Sequence, residues 1–176
     1  MLSKNNHAKI VKHLYTNKKG GDHLDKSERT VGGIVIRDNK VLLVRHTYGA
    51  YRGKLLIPGG YIKQGEMPEI AAAREVFEET GVVAEAESIL CIRFLPDAWY
   101  VAFMMRYISG EPVSDGIENS EAAFFDLNAA VKREDLTLFS RRMLESLKSA
   151  HKMKLSDYHG PNVERDTYHV YGMGSE

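Results

Sequence analysis

The chain has 176 residues, 43% hydrophobic and 27% charged, proportions ordinary for a folded domain with room for a sizeable core. Lys plus Arg and Asp plus Glu both number 24, so the formal net charge is zero, which gives no support for a broad nucleic-acid-binding surface. The single cysteine excludes an intramolecular disulfide framework, and no apolar run approaches the ~18 residues of a membrane span.

The first segment, "MLSKNNHAKIVKHLYTNKKGGD", lacks the apolar run of a signal peptide, so a cytoplasmic, reducing location with no membrane partner is expected. Residues 1–29 form an N-terminal extension, polar and lysine-rich, in which Ile10, Val11 and Leu14 read as a short amphipathic turn or an edge strand. From Thr30 the character changes. "TVGGIVI" and "KVLLVRH" are aliphatic, β-branched runs joined by Asp38-Asn39, the signal of a hairpin. "YGAYRGK" reads as a loop, and "LLIPGG" as a short strand ending at two glycines.

"MPEIAAAREVFEET" is the strongest helix signal, with Pro68 in the first turn and Gly81 just past the end. Strands follow at "ESILCIRF", where Cys91 reads as a small buried hydrophobe, and at "WYVAFMMRYIS" and "EAAFFDL". A second helix is expected over "EDLTLFSRRMLESLKSA", with Leu136, Phe139, Met143 and Leu147 on one stripe. The main domain is thus placed at 30–150, with a C-terminal extension at 151–176. That extension, including Tyr158, Tyr168 and Tyr171, is a candidate for extra strands or a homodimer contact.

The helix carries the chemistry. At ~100° per residue, Ile70, Ala73 and Phe77 cluster on one side with Val76 beside them, while Glu75, Glu78 and Glu79 occupy an opposite arc. Those acids sit at the negative end of the helix macrodipole, an arrangement costing roughly 0.3–1 kcal/mol each. The helix has no lysine, and its one arginine, Arg74, lies beside the acidic stripe. A divalent cation relieves this repulsion, because hard oxygen ligands on adjacent turns suit Mg²⁺ or Mn²⁺.

The spacing is more specific still. Gly60, Glu66, Arg74-Glu75, Glu78-Glu79, Gly81 and Val82 read as G-x5-E-x7-R-E-V-x-E-E-x-G-V. This resembles the signature of the Nudix hydrolases at every defined position, and the preceding hairpin, "PGG" and the later "SEAAFF" also fit that family's layout. The resemblance covers roughly residues 30–148. It implies an α+β fold, an α/β/α sandwich with a mixed sheet, and a metal-dependent hydrolase that cleaves a nucleoside diphosphate linked to another group. Carried over by position, Glu78, Glu79 and the Gly60 carbonyl are metal ligands and Glu75 a ligand or general base. Arg74 orients Glu75, Glu66 braces Arg74 or the loop, and Gly81 ends the helix.

Around that box, "GIENSEAAFF" offers Glu118 and Glu121 as a further acid, with Glu121 fitting the family pattern better. Arg45, Arg52 and Lys54 are candidate phosphate contacts, and Tyr48, Tyr51, Trp99 and Tyr100 candidate stacking surfaces for a base. Pro96, some fifteen residues beyond Gly81, resembles a marker of ADP-ribose-cleaving members, and Tyr100 lies near a tyrosine position of dinucleoside-polyphosphate members. ADP-ribose or a nucleotide sugar is the first expectation for the substrate. The alternatives are a MutT-like nucleoside triphosphate pyrophosphohydrolase and a non-catalytic nucleotide sensor.

Overall fold

The computed structural model describes residues 28–156 and 169–172. Ile10, Val11 and Leu14, and also Tyr158 and Tyr168, lie outside the described residues. Eight strands share one hydrogen-bonded sheet. They are β1 (Glu28–Arg37), β2 (Lys40–His46), β3 (Leu55–Leu56), β4 (Gly59–Tyr61), β5 (Val83–Leu95), β6 (Ala98–Ser109), β7 (Asn119–Asp126) and β8 (Met153–Lys154). The order is β3-β2-β1-β6-β5-β8, with β4 joined to β1 and β7 to β2. β1 runs parallel to β6 and antiparallel to β2 and β4, so the sheet is mixed.

The first hairpin turns at Asp38 and Asn39, both with positive φ (50° and 60°), the backbone that a two-residue hairpin matched to strand twist requires. "LLIPGG" differs from the expectation of one strand. Leu55–Leu56 pairs with β2, Gly59–Tyr61 pairs with β1, and Pro58, which has no N–H to give a ladder, stands between them.

The main helix, α1 (Pro68–Thr80), opens with Pro68 in its first turn and closes on Gly81 at φ 71°, whose N–H donates to the Phe77 carbonyl at 2.8 Å. Its buried face includes Ala73 and Val76 as expected but is turned away from Ile70. Ile70 is 41% exposed, and the helix docks through Ala72, Ala73, Val76 and Thr80. The reason is Gly33. A Cβ there would lie 2.4 Å from Val76 Cγ2 and 3.6 Å from the Ala72 carbonyl oxygen, so helix and strand touch almost backbone to backbone. Gly33→Ala is therefore expected to cost about 1–3 kcal/mol through overpacking, read as a lower midpoint in chemical denaturation.

Strand alternation then separates two cores. Val31, Val35, Leu42 and Phe103 pack against α1, while Ile34, Val41, Leu43 and Leu55 pack on the other side with Leu136, Met143 and Leu144. Met143 and Leu144 come from α3 (Leu138–Ser146), which follows the short α2 (Leu127–Ala130), and Leu136 comes from the segment between them. α3 starts four residues later than the sequence suggests. The Leu55 N–H donates to the Asp135 carbonyl and the Thr137 N–H to the Leu55 carbonyl, so this stretch extends the β3 ladder before helix can form. Thr137 then caps α3, its hydroxyl accepting from the Ser140 N–H. A helix on each face of a mixed sheet gives the α/β/α sandwich.

Part of the C-terminal extension joins this body. β8 pairs with β5, Tyr171 bridges Leu155, and the Tyr171 ring meets Phe103 edge-on with centroids 5.8 Å apart. No helix among the described residues is long and apolar enough to cross a membrane.

Candidate active site

β4 brings Gly59 and Gly60 alongside the middle of α1, in register with Gly32 and Val31 of β1. Neither glycine has room for a side chain. A Cβ at Gly59 would lie 2.1 Å from the Val31 carbonyl oxygen, and one at Gly60 would lie 2.6 Å from the Glu75 carboxyl carbon. The loop backbone is thereby held directly against the acids of the helix.

Arg74 organises those acids. It is 4% exposed, and its Nε and Nη2 donate to both oxygens of Glu66 at 2.8 and 2.9 Å, a bidentate pair. Nη1 donates to Glu75 Oε1 at 2.5 Å and to Glu78 Oε2 at 3.0 Å, and Nη2 also donates to the Tyr61 carbonyl at 2.9 Å. Burial opposes the charge on Arg74, but the carboxylates of Glu66 and Glu75 outweigh it and hold the guanidinium above its usual range. Burial likewise acts to raise the Glu66 carboxyl, yet the Arg74 and Lys63 hydrogen bonds win and hold it low.

Glu79 behaves differently. It is 3% exposed, its Oε2 accepts from the Gly59 N–H at 3.1 Å, and its pKa is pushed up to about 9. Burial is the main cause, followed by the charge of Glu75, with Glu118 and Asp115 adding to it and the Gly59 hydrogen bond opposing it. Glu75 is also raised, by burial first, although Arg74 pulls it back. The acids on that arc line a seam between α1 and β4, with Glu79 buried and Glu75 and Glu78 partly so.

Among the described residues no three His, Cys, Asp or Glu side chains converge as a metal site in this arrangement. The Arg74 guanidinium is bonded to Glu75 and Glu78 at once, and Glu79 is turned onto Gly59. The donor set still fits a hard divalent cation. Glu75 abuts Gly60, Glu79 abuts the adjacent Gly59, and Glu78 shares Arg74 with Glu75, so Glu66, Glu75, Glu78 and Glu79 outnumber the cations Arg74 and Lys63.

The acidic loop after β6 supplies the remaining negative charge. Asp115 Oδ1 accepts from the N–H groups of Ile117, Glu118 and Asn119 at 2.9–3.0 Å, folding the loop so that Glu118 acts on Glu75 and Glu79. Glu121 is placed elsewhere. It lies opposite Arg45 in the β2–β7 ladder and accepts from Arg45 Nε at 2.8 Å, while Arg45 also holds Asp135. Arg45 is therefore committed to two carboxylates. Asp115 was not singled out in the sequence; the Asp-Gly of "SDGIEN" is the turn signal that carries it.

The aromatic candidates separate too. Tyr48 and Tyr51 are exposed, at either end of a 3-10 turn (Gly49–Tyr51), with Arg52 also exposed. Tyr48 stands at the rim of the acids, since Glu118, Glu79 and Glu75 all act on its hydroxyl, and its ring stacks on His46 at 5.2 Å. Trp99 and Tyr100 instead point to opposite faces of the sheet and pack against the two cores. The Tyr100 hydroxyl rests on Gly32, where a Cβ would come within 1.9 Å of it.

Several known proteins are similar to this chain. An ADP-ribose pyrophosphatase from Methanocaldococcus jannaschii is 36% identical over 104 residues, covering 56% of this chain and 61% of that protein. A putative nudix hydrolase from Caenorhabditis elegans is 31% identical over 104 residues, which span 28% of its length. The chain thus spans less than two thirds of both relatives. The crystal structure of a NUDIX hydrolase from Nitrosomonas europaea superposes with a TM-score of 0.63 at 26% identity, covering 72% of this chain and 74% of that one. The NUDIX domain model matches residues 26–147, well over half of the sequence and all of the strand–loop–helix that holds the acids, and on that ground the chain belongs to the NUDIX domain family.

Proposed function

We propose that the protein is a Mg²⁺-dependent pyrophosphohydrolase, with Mn²⁺ able to substitute, that cleaves the diphosphate of a nucleoside diphosphate linked to another moiety, ADP-ribose being the first candidate. The observation that carries this reading is the buried seam in which Glu79 is driven to pKa about 9 by burial and neighbouring acids. Such a seam favours a small, highly charged cation over water. Similarity to an archaeal ADP-ribose pyrophosphatase supports the choice of substrate.

Glu78, Glu79, Glu75 and the Gly60 carbonyl would hold the ion. When bound, it supplies charge neutralisation for the diphosphate and a more acidic water. The chain's own groups do the rest. Arg74 fixes Glu75 through Oε1, leaving Oε2 to accept the proton of the attacking water. Burial raises the basicity of Glu75 and so suits it to that task. Water adds to one phosphorus, the bridging P–O bond breaks, and two phosphomonoesters leave. Tyr48 and Tyr51 offer exposed rings for the base, and Arg52 an exposed cation for a phosphate.

The test is incubation with Mg²⁺ and a panel of nucleoside diphosphate derivatives and nucleoside triphosphates, with product identification. AMP plus ribose phosphate supports ADP-ribose. Nucleoside monophosphate plus pyrophosphate from triphosphates alone would replace the substrate assignment, and no turnover of any compound would sink the reading.

A pH dependence follows from Glu79. Its folded pKa of about 9 lies above the ordinary 4.5, so its contribution is fully present below pH ~4.5 and is lost as pH rises towards 9. Metal-free protein should lose stability across that window. Bound metal displaces the proton, so Mg²⁺ should flatten the profile, and its affinity should climb by up to about tenfold per pH unit below 9. Calorimetry in buffers of different ionisation enthalpy reads the proton released.

A further inference from the structure

Asn119, at the start of β7, is fully buried and lies opposite His46 of β2. Its polar groups are almost all committed. Its N–H donates to Asp115 Oδ1 at 3.0 Å, and its carbonyl accepts from the Ser114 hydroxyl at 2.7 Å. Its side-chain Nδ2 donates to the Glu79 carbonyl at 2.8 Å. That carbonyl belongs to the last turn of α1, where helix carbonyls lack intrahelical partners. A distant strand thus caps the helix at the residue whose carboxylate faces Gly59.

One atom of Asn119 is left over. Oδ1 is buried with no partner among the described residues, and so is His46 Nε2. The ladder register shifts between Arg45 and His46, yet strand alternation from Leu42 puts His46 on the face that packs against α1, and Asn119 reaches Glu79 on that same face. An acceptor and a ring nitrogen, each unsatisfied, therefore stand across from one another. Burial pushes the His46 imidazole down in pKa, against the pull of Glu118 and Asp115, which keeps the ring neutral with one N–H to give. The amide cannot be flipped, because Oδ1 would then face the Glu79 carbonyl oxygen.

We infer that His46 Nε2–H donates to Asn119 Oδ1, directly or through one buried water, and that this relay makes Asn119 a positioning residue for Glu79. Through it the acidic loop and the last turn of α1 are one unit: Asp115 and Ser114 hold the Asn119 backbone, its side chain holds Glu79, and the Val113 N–H donates to the Thr80 carbonyl beside it. The relay sets how far Glu79 stands from Glu118. This inference rests on the pyrophosphohydrolase reading for its kinetic readout but not for its metal-binding readout.

The experiment compares Asn119→Leu, which keeps the volume and removes the amide, with His46→Phe and His46→Gln. Mn²⁺ affinity is measured without substrate, and kcat and KM are measured on the substrate that the panel identifies. Asn119→Leu and His46→Phe should each weaken Mn²⁺ binding and lower kcat by about 10–100-fold with KM changed less than about twofold. His46→Gln, whose amide restores a donor, should recover most of both. Wild-type Mn²⁺ affinity and kcat in a folded His46→Phe protein would overturn the relay, even if Asn119→Leu fails to fold. A wild-type protein without turnover would defeat the pyrophosphohydrolase reading alone, and Mn²⁺ affinity would still decide the relay.

Discussion

Glu79→Gln should lower turnover by about a hundredfold or more while raising the melting temperature of the metal-free protein at pH 8. The two effects share one cause. Glu79 is buried beside Glu75, and ionising it there is so unfavourable that its pKa reaches about 9. At pH 8 the folded metal-free protein keeps a proton on Glu79 that the unfolded chain has lost, which costs stability. Glutamine removes that cost, keeps the shape, and still offers an oxygen to the Gly59 N–H. It also removes the anionic oxygen that a cation needs. Thermal melts with and without Mg²⁺, beside steady-state kinetics, separate these terms, and the variant should lose most of the metal-induced rise in melting temperature. Near-normal turnover would remove Glu79 from the mechanism.

Arg74→Ala acts in the opposite direction on the same seam. Arg74 is the buried cation shared by Glu66, Glu75 and Glu78. Removing one partner of a buried ion pair typically costs about 3–5 kcal/mol, because the remaining charges are left uncompensated. Denaturant unfolding should show a loss of that order without metal. Mg²⁺ should restore part of it, since Glu75 and Glu78 are among the carboxylates that would hold the ion and Glu66 is not. Arg74→Lys should recover little, as an ammonium cannot make the bidentate contact to Glu66. A loss below about 1 kcal/mol for Arg74→Ala would show that the acids are already solvated and that the seam carries little energy.

Most of the scaffold is legible in the sequence, for local reasons. Asp38-Asn39 specifies its hairpin, and Pro68 and Gly81 bracket α1. Helical periodicity was less reliable for α1. It weighs residues by hydrophobicity, and so favoured Ile70 and Phe77 over Ala72 and Thr80. The packing was decided by close approach at Gly33, a tertiary fact that periodicity does not contain. The same limit applies to the site. The spacing of acids in "REVFEETG" pointed to a cation-binding helix, but Glu118 and Glu121 are separated only by the β2–β7 register, which sets Glu121 against Arg45. The start of α3 moved because Asp135 and Thr137 give their backbone to Leu55, a pairing between segments some eighty residues apart.

The glycine pair of β4 bears on how this protein can change over generations. Gly59 is pressed on the Val31 backbone and Gly60 on the Glu75 carboxylate, so a side chain at Gly59 would part strand from strand and one at Gly60 would push the Glu75 carboxylate from its place. Substitution at either glycine thus disturbs the backbone or the acids directly. New substrate preferences must instead arise in segments with open space around them, such as the turn that bears Gly49 and Gly53 and the loop that bears Gly116, where added Cβ atoms meet nothing within 4 Å. Their left-handed backbones, at φ 66°, 75° and 69°, still set a limit there. Descendants of this chain should therefore diverge in what they recognise far sooner than in how they cut.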